Sequence, residues 1–465
     1  MAMIRACLGR SARVRFVRAL MLLILSFLIV ARPALADDQP QVLRDTETEA
    51  FLNKIAAPLA KSAGLAPGAL KVVILQDPEI NAFVATGQTI YLQTGLILAA
   101  KNANELEGVI AHELGHIEGG DAVRTGDAIK QSTRITLLSL LLGAAAVAAG
   151  AGDAGMAIMT GGQQAGMAHF LHYSRQQEGS ADASAVRHLN DAHLSGKGMI
   201  SFFETLKAEE YRLSSSYAST DPFMQDHPMT ADRQTMLKAD LEKSPWWNAP
   251  IDPAKQAEFL RIKAKLYGFV KDPDVTLRVY PESDQSVPAH YARAYAWQRA
   301  AYPEKAEAEA DALLKTAPQD PYFNELKGQF LLENGHPKEA LAPLRIAVKN
   351  SSDAPLIGAM LGHALLATED PKNFAEAERV LKLSVARDRE DPLAWYALGT
   401  VYARQGDDAH AALATAERYA MNGQDELARM NAETAMKGIP QGTPDYIRAE
   451  DIAITSRNKM DSRAK

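Results

Sequence analysis

Three prolines and three glycines set the register of the C-terminal part of this chain. Pro321 and Pro355 stand 34 residues apart, as do Gly328 and Gly362, and Pro392 and Gly399 each follow 37 residues later. Both series shift by the same three residues, so one insertion accounts for both. A period near 34 is the length of a helix–turn–helix unit that cannot bury its apolar face alone and must stack on neighbours like itself. In the third unit Trp395, Leu398, Gly399 and Tyr402 follow W-x2-L-G-x2-Y, the pattern of the first helix of a tetratricopeptide repeat. Glycine there lets two helices approach closely, and proline at the boundary ends one unit and opens the next. A further unit is expected to begin near Pro288, with a capping helix over residues 425–437. An ordinary helical bundle with coincidental spacing is the competing reading, and two markers in a common phase weigh against it. Residues 289–465 are therefore expected to form an all-α solenoid.

The chain has 465 residues, too many for a single core, so at least one more domain precedes the repeats. The first residues are a different matter. Arg5, Arg10, Arg13, Arg15 and Arg18 form a basic region, residues 19–31 are apolar, and Pro33-Ala34-Leu35-Ala36 precedes Asp37. That order is expected of a secretory signal peptide over residues 1–36, cleaved after Ala36. An uncleaved anchor would need about 20 apolar residues. Without residues 1–36 the chain keeps 44 basic and 57 acidic residues, a net charge of −13. Such a chain is a poor match for nucleic acid, or for anionic lipid as its main partner. Cys7, the only cysteine, lies inside the expected leader and before its apolar core, the wrong place for a lipoprotein anchor. The exported chain then has no disulfide, no thiolate metal site and no cysteine nucleophile, which suits the bacterial periplasm.

Between leader and repeats the pattern is mixed. Residues 37–70 read as helical, with Phe51, Ile55, Leu59 and Ala63 at three-to-four spacing. Residues 70–75 and 89–92 read as short strands, and residues 104–118 as a helix with Leu106, Val109, Ile110, Leu114 and Ile117 on one face. Strands followed by helices, without βαβ alternation, predict an α+β domain. Residues 136–149 are apolar but glycine-broken and too short for a confident membrane span. A buried or re-entrant hairpin near the active site is expected, with peripheral membrane contact through 135–149 as an alternative. Prolines 245, 250, 253, 273, 281 and 288 mark the domain connection, so residues 37–272 are expected to be one domain and 273–288 a linker.

The chemistry lies in His112-Glu113-Leu114-Gly115-His116. H-E-x-x-H on a helix puts two imidazoles on one face, about 6 Å apart at Cβ, able to grip one ion. Three nitrogen or carboxylate ligands around zinc leave a place for water, which bound zinc acidifies, and Glu113 is placed to take its proton as it attacks a carbonyl. Two solvated histidines on a surface helix are the bland alternative, and the apolar neighbours argue against it. A third ligand is required. A further histidine six positions after His116 would be Ala122, so that pattern fails. Glu178 in Glu178-Gly179-Ser180-Ala181-Asp182 is the best remaining candidate. Glu178 and Asp182 share a helix face, so one carboxylate can ligate while the other orients a histidine.

Asn81-Ala82-Phe83, Thr94-Gly95-Leu96, residues 105–109, the H-E-x-x-H helix and E-x-x-A-D, in that order, resemble a zinc peptidase family. Its members are the CAAX prenyl endopeptidases, the HtpX heat-shock proteases and the periplasmic β-barrel assembly-enhancing proteases. The resemblance covers roughly residues 45–240, and the repeats make the last group the nearest match. It implies a gluzincin-type α+β metallopeptidase domain holding one Zn2+ per chain. His112, His116 and Glu178 would be the ligands, Glu113 the base, and Asp182 would support one of the histidines. One departure stands out: where the family commonly continues with bulky or basic residues and another histidine, this chain has Glu118-Gly119-Gly120-Asp121. Asp226-His227-Pro228 followed by Arg233 resembles the family's trailing H-P-x4-R segment. His227 would either stabilise the oxyanion or sit at the open fourth position and hold the enzyme latent, unless it is an ordinary turn histidine. The latent role is the preferred of the two.

The leading functional expectation is a periplasmic zinc endopeptidase in quality control of exported or outer-membrane proteins. Its substrates would be unfolded or misassembled exported proteins, and its repeats would dock substrate or the outer-membrane assembly machinery. A repeat-based chaperone or scaffold with a latent or inactive zinc domain is the alternative. A metal-dependent hydrolase of something other than protein is a third reading. Residues 88–92, expected as an edge strand beside the metal, weigh against it because an edge strand suits an extended peptide.

Overall fold

The computed structural model describes residues 41–85, 87–148, 151–214, 227 and 230–463; the expected leader, with Cys7, lies outside them. After strand β1 (Gln41–Leu43) comes helix α1 (Thr46–Ser62). Its first turn explains its start: the Asp45 side chain accepts from Thr48 N–H at 2.8 Å, and Glu47 and Glu49 complement the helix dipole. The helix is shorter than the expected 37–70, and Ala63 is its C-cap. Strands β2 (Lys71–Gln76), β3 (Ala82–Val84) and β4 (Thr89–Gln93) follow. The sheet order is β1-β2-β4-β3, with β4 parallel to β2 and antiparallel to β3. The expectation of an edge strand over residues 88–92 is therefore corrected. That strand is interior; the edges are β1 and β3, and the edge beside β4 is β3, whose three residues are too few for alternation to reveal.

Helices α2 (Thr94–Ala99), α3 (Ala103–Gly119), α4 (Asp121–Ala148), α5 (Gly152–Asp191), α6 (Lys197–Ser214), α7 (Ala231–Glu242) and α8 (Pro253–Val270) complete the first layer set. The core joins Leu52 and Ile55 of α1, Ile74 and Ile90 of the sheet, Ile110 and Leu114 of α3, Phe202 of α6 and Phe259 of α8. Helix α3 is enclosed: every residue from Ala103 to His116 is buried. Helices α4 and α5 pair lengthwise as the expected hairpin. Its expected burial is not observed, because Leu137, Leu138, Leu141 and Leu142 are 54–69% exposed. No helix among the described residues is long and apolar enough to cross a membrane.

Residues 273–288 are not an open tether. They hold α9 (Pro273–Val279) and the first turn of α10 (Val287–Arg299). Helix α8 serves both sides: Phe259, Ile262 and Leu266 enter the first core, Arg261 reaches Asp320 of the repeats, and Lys265 pairs with Glu47 of α1 while lying over the Tyr291 ring. Buried Glu47 of α1 accepts from Tyr291 Oη of α10 at 2.7 Å and is also paired with Arg261, which reaches Asp320 at 2.8 Å.

The repeats are antiparallel helix pairs: α10 with α11 (Pro303–Thr316), α12 (Pro321–Glu333) with α13 (Pro337–Asn350), and α14 (Pro355–Ala367) with α15 (Phe374–Arg387). The last two are α16 (Pro392–Gln405) with α17 (Asp408–Met421), and α18 (Asp425–Gly438) with α19 (Pro444–Arg463). Pro321, Pro355 and Pro392 each open a helix at its first position, where the missing N–H costs nothing. A Cβ at Gly328 or Gly362 would overlap Leu344 or Leu381 of the paired helix, which is why glycine stands there. The three-residue insertion is the 3-10 turn Pro371–Asn373 between α14 and α15. Periodicity did not disclose α19. The array curls back onto α1 and the sheet through Arg44–Asp388 at 2.7 Å and Lys71–Glu390 at 3.7 Å. A cleft of about 2430 Å³ lies between, lined by Lys61 and Tyr91 on one side and Leu332, Met360 and Leu393 on the other.

Candidate metal centre

Helix α3 is fixed at both ends. Asn102 caps its start by accepting from Glu105 N–H at 3.1 Å, and Gly120, with φ 65°, closes its end in the left-handed conformation. Within the motif, Leu114 points into the core and Gly115 faces α5. A Cβ on Gly115 would stand 2.7 Å from the Ala181 carbonyl oxygen, so only glycine lets α5 come this close. That approach brings Glu178 and Asp182, one turn apart on α5, against the two histidines.

Four side chains converge. His112, His116, Glu178 and His227 are all buried, and one ligand atom from each lies within 4.8 Å of the others. His112 Nε2 is 3.2 Å from His116 Nε2, 3.3 Å from His227 Nδ1 and 3.5 Å from Glu178 Oε2. Glu178 Oε1 is 3.5 Å from His116 Nε2 and 3.1 Å from His227 Nδ1. A tetrahedral ion with bonds of about 2.0–2.1 Å places its ligand atoms about 3.3 Å apart, so these spacings fit one four-coordinate ion. Glu113 is fully buried; among the described residues neither carboxylate oxygen has a hydrogen-bond partner, and Oε1 faces His227 Nε2 at 3.6 Å. A buried carboxylate is costly unless it is paired with something, which again fits a site built for an ion and a water.

A ring of charge holds the set. His112 Nδ1 faces Asp182 Oδ1 at 3.1 Å, and His116 Nδ1 faces Asp121 Oδ2 at 2.8 Å. Arg233, from the first turn of α7, donates from Nε and Nη2 to Asp182 at 2.5 and 2.9 Å and reaches Glu178 Oε2 at 2.6 Å. Burial opposes charge on His112, but hydrogen bonds and charge from Asp182 and Glu178 outweigh it and push its pKa up to about 10. Burial also opposes charge on Glu178, yet hydrogen bonds to His112 and His227 hold its carboxyl well below the usual range. Asp182 is lowered in the same manner by Arg233 and His112. This polarity suits ligand atoms presented to a cation.

The residues singled out in the sequence (His112, Glu113, His116, Glu178, Asp182 and His227) thus meet in one place. Asp182 stands beside His112 rather than His116. His227 stands among the ligand atoms, its Nε2 3.3 Å from the carbonyl oxygen of Ala82 on edge strand β3. Two further residues pack against this cluster without having been singled out for it in the sequence. Arg233 was noted only as part of a segment, without its role. Asp121 lay in the stretch that departs from the family pattern, and Gly119-Gly120 are the signal that could have found it. A Cβ on Gly119 would stand 2.8 Å from Asp121 Oδ1, and the left-handed Gly120 turns the chain back toward His116.

Residues 46–240 match the profile of peptidase family M48. The chain is 22% identical over 432 residues to the beta-barrel assembly-enhancing protease of Escherichia coli, covering 91% of this chain and 86% of that protein. It is 26% identical over 299 residues to the putative beta-barrel assembly-enhancing protease of Vibrio cholerae, covering 62% of this chain and 59% of that one. Against the metalloprotease LoiP of Escherichia coli it is 29% identical over 188 residues, 40% of this chain and 68% of that protein.

Proposed function

We propose, from the premise that residues 46–240 are a peptidase family M48 domain, that this chain is a zinc endopeptidase of the periplasm kept latent by His227. Likeness to beta-barrel assembly-enhancing proteases supports quality control of exported and outer-membrane proteins as its work. The observation that carries the reading is the convergence of His112, His116, Glu178 and His227 beside the buried carboxylate of Glu113, which among the described residues accepts no hydrogen bond. His112, His116 and Glu178 would hold the ion, supported by Asp182, Asp121 and Arg233. A zinc ion, when bound, supplies Lewis acidity that acidifies water and polarises a peptide carbonyl. Glu113, buried and close by, accepts the proton of the attacking water and returns it to the leaving amine.

His227 has two attachments that substrate would need to displace. Its Nδ1 occupies the fourth position of the ligand set, where water belongs in a working site. Its Nε2 lies against the Ala82 carbonyl, an acceptor on the sheet edge that an extended peptide would use. The preferred reading is therefore a closed state, opened when His227 leaves the ligand set. The repeats face the peptidase domain across the large cleft and would dock substrate or an assembly partner there. The closed ligand set also keeps in play a repeat-based chaperone or scaffold with a permanently latent metal domain. Cleavage of an unfolded protein by purified exported chain, abolished by chelator and restored by zinc, separates the two. Binding without cleavage, even after His227→Ala, leaves only the scaffold.

A further inference from the structure

A helical hairpin in water normally buries its large apolar residues between the helices and turns small polar ones outward. The pair α4–α5 is the reverse. Between residues 122 and 177 the buried positions among those described are Ala128, Gly143, Gly155, Gly162 and Gly166, all small. The seam is tight: a Cβ on Gly143 would stand 2.6 Å from the Gly155 carbonyl oxygen, and one on Gly166 would stand 2.5 Å from Thr136 Oγ1. Thr136 and Ser139 return their hydroxyls to their own helix, donating to the carbonyls of Ser132 at 3.1 Å and Ile135 at 2.9 Å. Outward instead stand Leu137, Leu138, Leu141 and Leu142, at successive turns of one face of α4, and Met156 of α5. Small residues inside and leucines outside is the packing of helices whose surroundings are lipid.

Charge agrees. From residue 135 to 168 the single charged side chain is Asp153. The leucine stripe of α4 runs back along the same face into exposed Arg134 and Lys130, and exposed Arg175 lies near the root of α5. Over residues 122–177 the basic groups are Arg124, Lys130, Arg134 and Arg175, against Asp127 and Asp153, so this hairpin is positive on an otherwise acidic chain. An apolar face flanked by arginine and lysine is what an anionic bilayer surface attracts and then takes up. The apolar part of α4 is about 20 Å long, short of the roughly 30 Å hydrocarbon core, and no described helix can cross.

We propose that α4 and α5 lie in the headgroup region of an anionic bilayer, with Leu137, Leu138, Leu141 and Leu142 buried among the acyl chains. Asp121 and Glu178, at the root of the same hairpin, belong to the metal centre. Membrane contact would hold that centre within about 40 Å of the lipid, the length of α4. Proteins emerging at or failing to enter the bilayer would then be the ones presented to it.

The test is co-sedimentation of the exported chain with vesicles of phosphatidylethanolamine and phosphatidylglycerol, and with phosphatidylcholine alone. A Glu113→Gln background removes cleavage from the result, so the outcome does not depend on the peptidase reading. The unaltered face should bind the anionic vesicles, Leu138→Ser with Leu141→Ser should lower binding about tenfold, and Arg134→Glu should remove the preference for phosphatidylglycerol. As a folding-independent readout, Leu141→Trp should shift its emission to the blue on adding anionic vesicles. No binding to either vesicle, unchanged binding in the leucine variant, or no emission shift would overturn the proposal. So would leucine-dependent dimerisation without vesicle binding, which would assign the face to a second copy of the chain.

Discussion

The Nδ1 atom of His116 lies 2.8 Å from Asp121 Oδ2, across a turn closed by Gly120 at φ 65°. With Asp182 3.1 Å from His112 Nδ1, both histidines of the motif are backed by a carboxylate. A carboxylate behind a ligand imidazole fixes its tautomer and raises its basicity. Asp121→Ala should therefore weaken zinc binding by about 10- to 100-fold, measured by competition with a chelator of known affinity. Asp121→Asn, which can still accept from His116, should fall between. Unchanged affinity in the alanine variant would show that Asp121 only terminates the helix.

Removing the fourth group should release the site. His227→Ala takes away the Nδ1 atom 3.3 Å from His112 Nε2 and frees the Ala82 carbonyl. If the closed form holds most of the population, cleavage of an unfolded protein should rise by about tenfold, with zinc content unchanged. A fall in turnover with zinc intact would instead assign His227 to the oxyanion.

The contact of α12 with α1 and α8 carries a pH dependence of its own. Burial pushes the Glu325 carboxyl up to about 8, with Lys265 acting in the opposite sense. Below about pH 4.5 both folded and unfolded chains hold this proton. Between there and pH 8 the unfolded chain gives it up while the folded chain keeps it, so stability falls as pH rises. Glu325→Gln removes that loss. It should be neutral near pH 4 and raise stability by about 1–3 kcal/mol at pH 8, read from thermal unfolding at both values. An equal gain at both would place the effect outside this titration.

Deletion of residues 289–465 should separate metal binding from stability. Every proposed ligand precedes residue 228, so zinc should remain. Glu47 would lose Tyr291 Oη and Arg261 would lose Asp320, so the melting temperature should drop. A truncated chain that melts unchanged would show that the junction adds nothing.

Much of the centre was legible because it depends on local spacing. Four-residue steps place His112 with His116, and Glu178 with Asp182, on shared helix faces whatever the rest of the chain does. The repeats were legible for a similar reason: proline and glycine mark helix starts and close contacts at a fixed period. What escaped was set by distant pairing. The edge strand is β3 rather than β4 because β4 inserts between β2 and β3, a choice no single strand encodes. Arg233 binds Asp182 across 51 residues. The leucines of α4 suggested burial because apolar runs usually face a core, yet the partner helix offers glycines, and the seam has no room for them.

Glu113 carries the central claim, since it is the buried carboxylate beside the ligand set and, among the described residues, accepts no hydrogen bond. The decisive measurement is zinc content and cleavage of an unfolded protein for Glu113→Gln and Glu178→Ala, made in the His227→Ala background so that the site is open. Glu113→Gln should keep about one zinc per chain and lose cleavage by at least a hundredfold, whereas Glu178→Ala should lose the zinc itself. Cleavage persisting in Glu113→Gln, or full zinc retained in Glu178→Ala, would contradict the account.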